Sequence, residues 1–181
     1  VPMATYLVLG ANRGIGLQLA AQLAERGDSV VATCRTASAA LRELPVRVLE
    51  GVELTAQASL AELDRQLGDT RLDGLVHVAG MLRGDDLDGV SLESMREHFE
   101  VNALAPLATV RQLAHRIVSG GKVFVLSSRV GSIADNGSGG NYAYRVSKTA
   151  VNMIGVNLAH DLRKQDEIGR ASCRERVSFT V

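Results

Sequence analysis

Two side chains with acid–base chemistry, Tyr144 and Lys148, stand four residues apart in a segment whose apolar residues have helical spacing. Residues four apart share one face of a helix, so the phenol and the ammonium are expected to be neighbours. A nearby ammonium stabilises the anionic form of a phenol, which suits the pair to proton transfer near neutral pH. The spacing arises often by chance, and taken alone it also fits a packed aromatic ring beside a solvated lysine.

A glycine-rich turn near the amino terminus is the second chemical feature. The apolar run 7–9 leads into Gly10-x-x-x-Gly14-x-Gly16, and the chain then continues with the spacing of an amphipathic helix. Glycines let the backbone approach a pyrophosphate, and the N–H groups at a helix start attract its charge. The turn lacks the Gly-Lys-Ser/Thr ending of a P-loop, which argues against a kinase or a GTPase. Taken alone, these glycines equally fit an ordinary turn.

Two arginines stand where a dinucleotide site would use them. The residue just after the second strand of such a site meets the adenosine ribose, where a basic side chain favours NADP and an acidic one favours NAD. Arg35 occupies that position, and Arg13 lies inside the glycine turn. Two guanidinium groups can hold the extra phosphate of NADP, so NADP(H) is the expected cofactor. The alternative is a pair of solvated surface arginines.

The composition is that of an ordinary globular protein. The chain has 181 residues, 46% of them hydrophobic, which predicts one domain with one core. Lys+Arg and Asp+Glu both number 20, and no apolar run could span a bilayer, so neither nucleic acid nor a membrane is an expected partner. The amino terminus shows no signal-peptide pattern, which favours a cytoplasmic protein. Cys34 and Cys173 lack Cys or His neighbours at metal-ligand spacing, so no metal site is predicted.

Strands and helices alternate along the chain, as they do in parallel sheets with helices on both faces. Strands are predicted near residues 7–9, 29–34, 46–49, 72–78 and 122–126, with helices between them. The predicted class is therefore α/β, a Rossmann-type doubly wound parallel sheet in three layers (α/β/α). Ligands of such sheets bind at the carboxyl ends of the strands, where the glycine turn and the serines after residue 126 both lie.

A proline interrupts the long helix that is predicted to start near Ser91 and Ser94 and to run to about residue 118. Pro106 has no N–H to donate to the carbonyl of Asn102, so the sequence allows either a deliberate kink or a helix boundary there. The predicted core face of this helix consists of Phe99, Leu104, Leu107, Val110, Leu113 and Ile117. A fifth strand is expected to follow Gly120-Gly121.

Taken together, these features resemble the short-chain dehydrogenase/reductase family over residues 5 to about 162. The order and spacing that carry the resemblance are those of Gly10, Gly14 and Gly16, then Ala79-Gly80, Asn102, Ser128, and Tyr144-x-x-x-Lys148. Within the family, the segments 10–16, 131–136 and 142–148 resemble the C-factor/sniffer-type carbonyl reductases. Tyr142 has no lysine four residues later and does not fit the pattern.

The resemblance implies hydride transfer between NADP(H) and a small carbonyl or alcohol substrate. Tyr144 would act as acid and base, Ser128 would hold the substrate oxygen, Lys148 would hold the nicotinamide ribose, and the carbonyl of Asn102 would hold a relay water. The cofactor-binding set that it implies is Gly10, Asn12, Arg13, Gly14, Ile15, Gly16, Arg35, Glu53, Ala79, Gly80, Tyr144 and Lys148.

A second function class stays open beside the enzyme. A regulatory or signalling protein that binds NADP without turnover would need only the glycines and arginines, so the intact Ser128, Tyr144 and Lys148 favour the enzyme. The resemblance also makes the helices at 94–118 and 144–163 candidates for a homo-oligomer interface.

Two positions depart from the family pattern. Leu9 stands where a threonine is usual, and His77-Val78 replaces Asn-Asn before Ala79. We interpret this as a compensated loss of a buried polar pair, which is nearly neutral when both partners change. His77 is then a structural residue and not a catalytic base.

The carboxyl-terminal residues do not continue the family pattern. Residues 167–177 are charged, have neither helical nor strand period, and match one reading frame of a sequencing adapter. We therefore expect a single domain over 1–166, a tail at 167–181 that is not native, the last strands of the sheet missing, and an unpaired edge on strand five. The alternative is a divergent native tail.

Overall fold

The computed structural model describes residues 3–164 and 179–180 of the chain. Its strands are β1 (Thr5–Leu9), β2 (Ser29–Thr33), β3 (Arg47–Leu49), β4 (Leu72–His77), β5 (Ile117–Val125) and β6 (Phe179–Thr180). Its α-helices are α1 (Gly14–Glu25), α2 (Ala39–Arg42), α3 (Gln57–Leu67), α4 (Leu92–Phe99), α5 (Ala105–Leu113) and α6 (Tyr142–Lys164).

The strands form one sheet in the order β3-β2-β1-β4-β5-β6. The first five are parallel, and β6 runs antiparallel to β5. The order reverses between β1 and β4, which opens a crevice at their carboxyl ends where ligands of such sheets bind. The predicted Rossmann-type α/β fold is confirmed.

Apolar side chains fill both faces of this sheet. On one face, α3, α5 and α6 pack their leucines and valines against β1, β4 and β5, with Leu63, Leu113 and Val151 among the buried contacts. On the other face, α1 and α2 cover β1 and β2 through Leu23 and Leu41. Burial on both faces explains why these strands are runs of continuous apolar residues and not alternating ones.

The long helix predicted from Ser91 consists of separate pieces. Ser91 starts α4 as expected, because its Oγ accepts the N–H of Ser94 at 3.0 Å. A π-helical turn, Glu100–Leu104, joins α4 to α5, and it is closed by the N–H of Ala105 donating to the carbonyl of Glu100. A π-helical turn is accommodated here because Pro106 has no N–H for the usual α-helical bond. Both a distorted turn and a helix boundary therefore lie at the proline.

Two members of the predicted core face of that helix were placed wrongly. Ile117 begins β5, five residues before the predicted strand, and Phe99 is 38% exposed. The register of β5 against β4 shifts between the pairs Leu72–Ile117 and Gly74–Lys122, so β5 contains extra residues that no strand period predicts. The bulge includes Gly120, whose φ of +79° favours glycine.

The edge of β5 is not wholly unpaired, contrary to the expectation from sequence. Phe124 and Val125 pair with the two residues of β6, because exposed edge N–H and C=O groups bind an extended segment that reaches them. The rest of the predicted tail, at 167–178 and 181, lies outside the described residues, and the domain limit at 166 stays a prediction. Within the part of the chain that is described, no helix is long and apolar enough to cross a bilayer.

Candidate active site

A cavity of about 1040 Å³ opens at the carboxyl ends of β1, β2 and β4. Most of the predicted cofactor-binding residues line it, namely Gly10, Asn12, Arg13, Gly14, Ile15, Arg35, Glu53, Ala79 and Gly80. Gly16 is not part of its wall, and neither are Asn102, Ser128, Tyr144 and Lys148. Asn102 and Lys148 adjoin this wall, because a Cβ on Gly80 would lie 3.1 Å from Oδ1 of Asn102 and Nζ of Lys148 donates to the carbonyl of Leu126.

The glycines of the turn have distinct roles. Gly10 has φ +87°, and a Cβ there would lie 2.7 Å from the Cα of Ala79, so the ends of β1 and β4 could not approach. A Cβ on Gly16 would lie 2.2 Å from the carbonyl oxygen of Gly10, so Gly16 lets α1 pack against the turn. Beside Gly14, in contrast, a Cβ would meet no atom within 4 Å. This open space at the helix start leaves room for a ligand.

The amino terminus of α1 is suited to bind an anion. Arg13 precedes the helix in an extended conformation without a side-chain cap, and no acidic residue stands in the first turn. The first N–H groups of a helix lack partners within the helix and carry partial positive charge. In this chain they face a cavity that Arg13 and Arg35 also line. The site therefore fits a pyrophosphate and a further phosphate.

The side chains of Asn12 and Glu53 already have partners within the protein. Asn12 Oδ1 accepts the N–H of Ser38 at 2.6 Å, which holds the chain after β2 against the glycine turn. Glu53 Oε1 accepts the hydroxyl of Thr55 at 3.0 Å, and its Oε2 lies 4.0 Å from Nη1 of Arg35. Both residues line the cavity and shape it through these bonds.

Asn102 ties the exit of β4 to α6. Its side chain is buried, with Oδ1 accepting the N–H of Met81 at 2.8 Å. Its Nδ2 donates to the carbonyl of Met81 and to Oγ of Ser147, both at 2.9 Å. The side chain is thus a structural bridge, a role separate from the water-binding carbonyl that the family pattern implies.

Lys148 is a buried lysine at the back of the cavity. The residue is 4% exposed, and its Nζ donates to the carbonyl of Leu126 at 3.0 Å. Burial lowers the pKa of Lys148 to about 8, because the charged form loses its hydration. A Cβ on Gly80 would lie 3.6 Å from Nζ, so the glycine lets the cavity wall come close to the ammonium.

Tyr144 lies on the same face of α6 as Lys148, with Nζ 5.6 Å from the centre of its ring. The ring of the fully buried His98 meets Tyr144 edge-on, with centroids 6.5 Å apart at 76°. His98 Nε2 accepts the N–H of Arg83 at 3.1 Å, and Nδ1 lies 2.7 Å from the carbonyl of Ser94. These partners assign the proton to Nδ1. No signal marked this histidine in the sequence.

The serines after β5 have different positions. Ser128 is half-buried and accepts the N–H of Val130 at 3.4 Å. Ser127 is buried and joins β5 to α6 by donating to Oδ1 of Asn152 at 2.5 Å. A Cβ on Gly131 would lie 2.8 Å from the carbonyl carbon of Lys148, so this segment packs directly on the helix that carries the tyrosine and the lysine.

The departure at His77 is only partly compensated. His77 is 1% exposed and lies opposite Leu9 in the sheet register, and its Nε2 has no hydrogen-bond partner in the part of the chain that the structure describes. The N–H groups of Val78 and Ala79 both donate to the carbonyl of Leu9, so the main chain closes this junction without a polar side-chain pair. Burial first, and the charge of Lys148 second, lower the pKa of His77 to about 3.

Among the described residues, no group of three His, Cys, Asp or Glu side chains could hold a metal ion.

Comparison with known proteins agrees with this geometry. The model of the short chain dehydrogenase family matches residues 4–169. A curated relative, the 1-hydroxy-2-glutathionyl-2-methyl-3-butene dehydrogenase of Rhodococcus sp. (strain AD45), is 40% identical over 164 residues, which is 90% of this chain and 73% of the relative. The chain spans 61% and 62% of the length of two other curated relatives.

Two solved structures have the same fold. A Burkholderia multivorans protein assigned to the short-chain dehydrogenase/reductases, crystallised with bound NADP, has a TM-score of 0.82 at 30% identity, covering 90% of this chain and 75% of its own. The protein assigned as the carbonyl reductase Sniffer of Caenorhabditis elegans has a TM-score of 0.79 at 27% identity, and the match covers 93% of this chain and 84% of the Sniffer chain. With the family model matching nearly the whole described chain, we conclude that this chain belongs to the short-chain dehydrogenase/reductase family.

Proposed function

We propose that the protein is an NADP-dependent oxidoreductase that interconverts a small carbonyl compound and its alcohol. The observation that carries the proposal is the pairing on α6 of Tyr144 with the buried Lys148, at the back of a cavity that is framed by an uncapped helix start. Membership of an oxidoreductase family and similarity to an NADP-bound structure support it.

Particular residues of this chain would hold the cofactor. The N–H groups at the start of α1 would bind the pyrophosphate, and the exposed guanidiniums of Arg13 and Arg35 would bind the ribose phosphate. Lys148 uses one of its three N–H donors on Leu126, so two remain for the hydroxyls of the nicotinamide ribose. When bound, NADPH supplies the hydride.

The remaining residues would handle the proton and the substrate oxygen. Tyr144 would donate its phenolic proton to the carbonyl oxygen during reduction and take it back from the hydroxyl during oxidation. Ser128 would hold that oxygen by donating its hydroxyl hydrogen, and the main-chain carbonyl of Asn102 would hold a water that supplies protons to Lys148 and Tyr144. The ammonium of Lys148 would stabilise the tyrosinate that proton transfer leaves behind.

The Rhodococcus relative is named as a dehydrogenase of an alcohol that carries a glutathionyl group. We therefore include oxidation of alcohols, and a glutathione-conjugated alcohol among them, in the proposed range of substrates. The predicted homo-oligomer stays a proposal, and the apolar side chains of Phe99, Val146 and Met153 on the exposed faces of α4 and α6 support it.

The test is a spectrophotometric assay of the purified full chain. NADPH consumption is followed with a panel of aldehydes and ketones, NADP⁺ reduction is followed with the matching alcohols, and NADPH binding is measured separately. We expect binding and turnover together. Binding without turnover on any substrate would favour the regulatory NADP-binding protein instead, and failure to bind NADPH would contradict both functions.

A further inference from the structure

The first turn of α6 is held by a carboxylate from a distant loop. Asp85 lies in the segment 78–91 between β4 and α4, and its Oδ1 accepts the N–H of Tyr142 at 2.5 Å. Its Oδ2 accepts the N–H of Ala143 at 3.2 Å, and its main-chain carbonyl accepts the N–H of Asn141 at 2.7 Å. One residue thus binds three successive N–H groups at the start of the helix that carries Tyr144.

The local sequence explains why the cap comes from elsewhere. Asn141 precedes α6, and its carbonyl accepts the first helical bond from Arg145. A side chain in this position usually caps the helix from an extended backbone, but Asn141 has φ +50° and follows Gly139 and Gly140, which are also left-handed. The Asp85 carboxylate takes over the capping role and adds a favourable charge at the positive end of the helix.

The loop that carries Asp85 is itself fixed at two earlier points. Asn102 holds both polar groups of the Met81 main chain, and buried His98 accepts the N–H of Arg83. Met81 and Arg83 line the cavity. Asp85 is therefore the third anchor of a loop whose beginning forms the wall of the proposed cofactor site.

The cap acts on Tyr144 more than on Lys148. Tyr144 is the third residue of α6 and belongs to the turn that Asp85 binds. Lys148 lies one turn further on, is buried, and is held separately by the carbonyl of Leu126. Loss of the cap would loosen the first turn while the second turn keeps its own anchor.

We propose that Asp85 is a positioning residue that fixes the phenol of Tyr144 relative to the cofactor cavity. This inference rests on the proposed function, because it assigns Asp85 a role in the proton transfer by Tyr144. Asp85 acts through the first turn of α6 and joins that turn to the wall of the cavity.

The test compares Asp85→Ala and Asp85→Asn with Asp88→Ala, which removes an exposed carboxylate from the same loop. We expect kcat to fall at least about tenfold in Asp85→Ala, because small displacements of reacting groups cost large factors in rate. The kcat of Asp85→Asn should lie between those of Asp85→Ala and the unmodified protein, since its one amide oxygen can still accept one N–H. The dissociation constant of NADPH should stay within about twofold, because Asp85 does not line the cavity and Lys148 keeps its anchor.

Two further measurements separate positioning from a general loss of structure. Amide exchange in Asp85→Ala should quicken at residues 142–144 and stay unchanged at Lys148. The solvent isotope effect on kcat should rise, because proton donation by a displaced phenol becomes rate-limiting.

The proposal would be overturned if Asp85→Ala had the same kcat as Asp88→Ala. It would also be overturned if Asp85→Ala lost NADPH affinity and kcat by equal factors, or if its amide exchange at residues 142–144 were unchanged. An unmodified protein without turnover would instead contradict the proposed function, and the exchange measurement would still show whether Asp85 holds the turn.

Discussion

Leu9 and His77 lie opposite each other in the register of β1 and β4, so an aliphatic side chain stands beside an imidazole whose Nε2 has no hydrogen-bond partner among the described residues. A buried neutral histidine is tolerated at neutral pH, but its protonation is not, because burial removes the hydration of the charged ring and the ammonium of Lys148 is near. This pair makes the centre of the sheet sensitive to acid.

His77→Leu should therefore reduce the acid sensitivity of folding. The pKa of His77 is about 3 in the folded protein, below the ~6.5 of an unfolded chain, so the unfolded state binds more protons between these values. The free energy of unfolding therefore falls as pH falls from about 6.5 to about 3. His77 accounts for about 2 kcal/mol of the decrease between pH 7 and pH 5. Urea unfolding at both pH values measures the difference.

The matched control for this experiment is His160→Leu, which removes an exposed imidazole on α6. The free energy of unfolding of His160→Leu should depend on pH as that of the unmodified protein does. In His77→Leu, the decrease between pH 7 and pH 5 should be about 2 kcal/mol smaller. An unchanged slope in His77→Leu would show that the imidazole is not buried in its neutral form.

Lys148→Met should uncouple stability from function. The pKa of Lys148 is about 8 in the folded protein, below the ~10.5 of a free lysine, so the unfolded state binds more protons between these values. The free energy of unfolding therefore rises with pH from about 8 to about 10.5, and the buried charge costs about 3 kcal/mol at pH 7. Methionine removes that cost but leaves the carbonyl of Leu126 unpaired, which costs about 1–3 kcal/mol. The thermal midpoint of the free variant should not fall, while NADPH affinity and turnover are lost.

Lys122→Met serves as its control, because Lys122 is an exposed lysine on β5. It should leave NADPH affinity unchanged. A strongly lowered thermal midpoint in Lys148→Met, or full NADPH affinity, would contradict the role assigned to this lysine.

Arg35→Asp should abolish the preference for NADPH over NADH. Arg35 lines the cavity and is solvent-exposed, and among the described residues its ion-pair partner is Glu53 at 4.0 Å, so the guanidinium can bind a phosphate. A charge-assisted hydrogen bond is worth about 1.5–3 kcal/mol, or about 10-fold to 150-fold in affinity. Dissociation constants for both nucleotides measure it, and Arg71→Asp, at another exposed arginine, should keep the preference. Equal affinity of the unmodified protein for both nucleotides would refute the assignment.

The sequence predicts those parts of the site that depend on local pattern. The turn at Gly10 and the pair of Tyr144 with Lys148 are local, because fixed spacing on a turn or a helix decides where such residues lie. His98 and Asp85 could not be recognised in this way. Each contributes through a partner far away in the chain, and a lone histidine or aspartate carries no spacing signal.

The fold shows the same division between local and distant interactions. The order of strands and helices follows from apolar runs and punctuating glycines, and the structure agrees with it. The start of β5 at Ile117 does not follow from the local sequence, because the isoleucine continues the helical period of the preceding residues while its pairing with Leu72 depends on β4. The pairing of the two strands therefore determines where β5 begins, and the helical period does not predict it.

Tyr144→Phe tests most directly whether Tyr144 donates the proton in an NADP-dependent carbonyl reduction. Tyr142→Phe is the matched control, because Tyr142 is a phenol two residues earlier on the same helix without a lysine four residues beyond it. We predict that Tyr144→Phe lowers kcat by a factor of about 10² to 10⁴ and keeps the NADPH dissociation constant within about twofold. The control variant Tyr142→Phe should keep nearly full activity. A Tyr144→Phe variant that reduces carbonyl compounds at the rate of the unmodified protein would contradict the account.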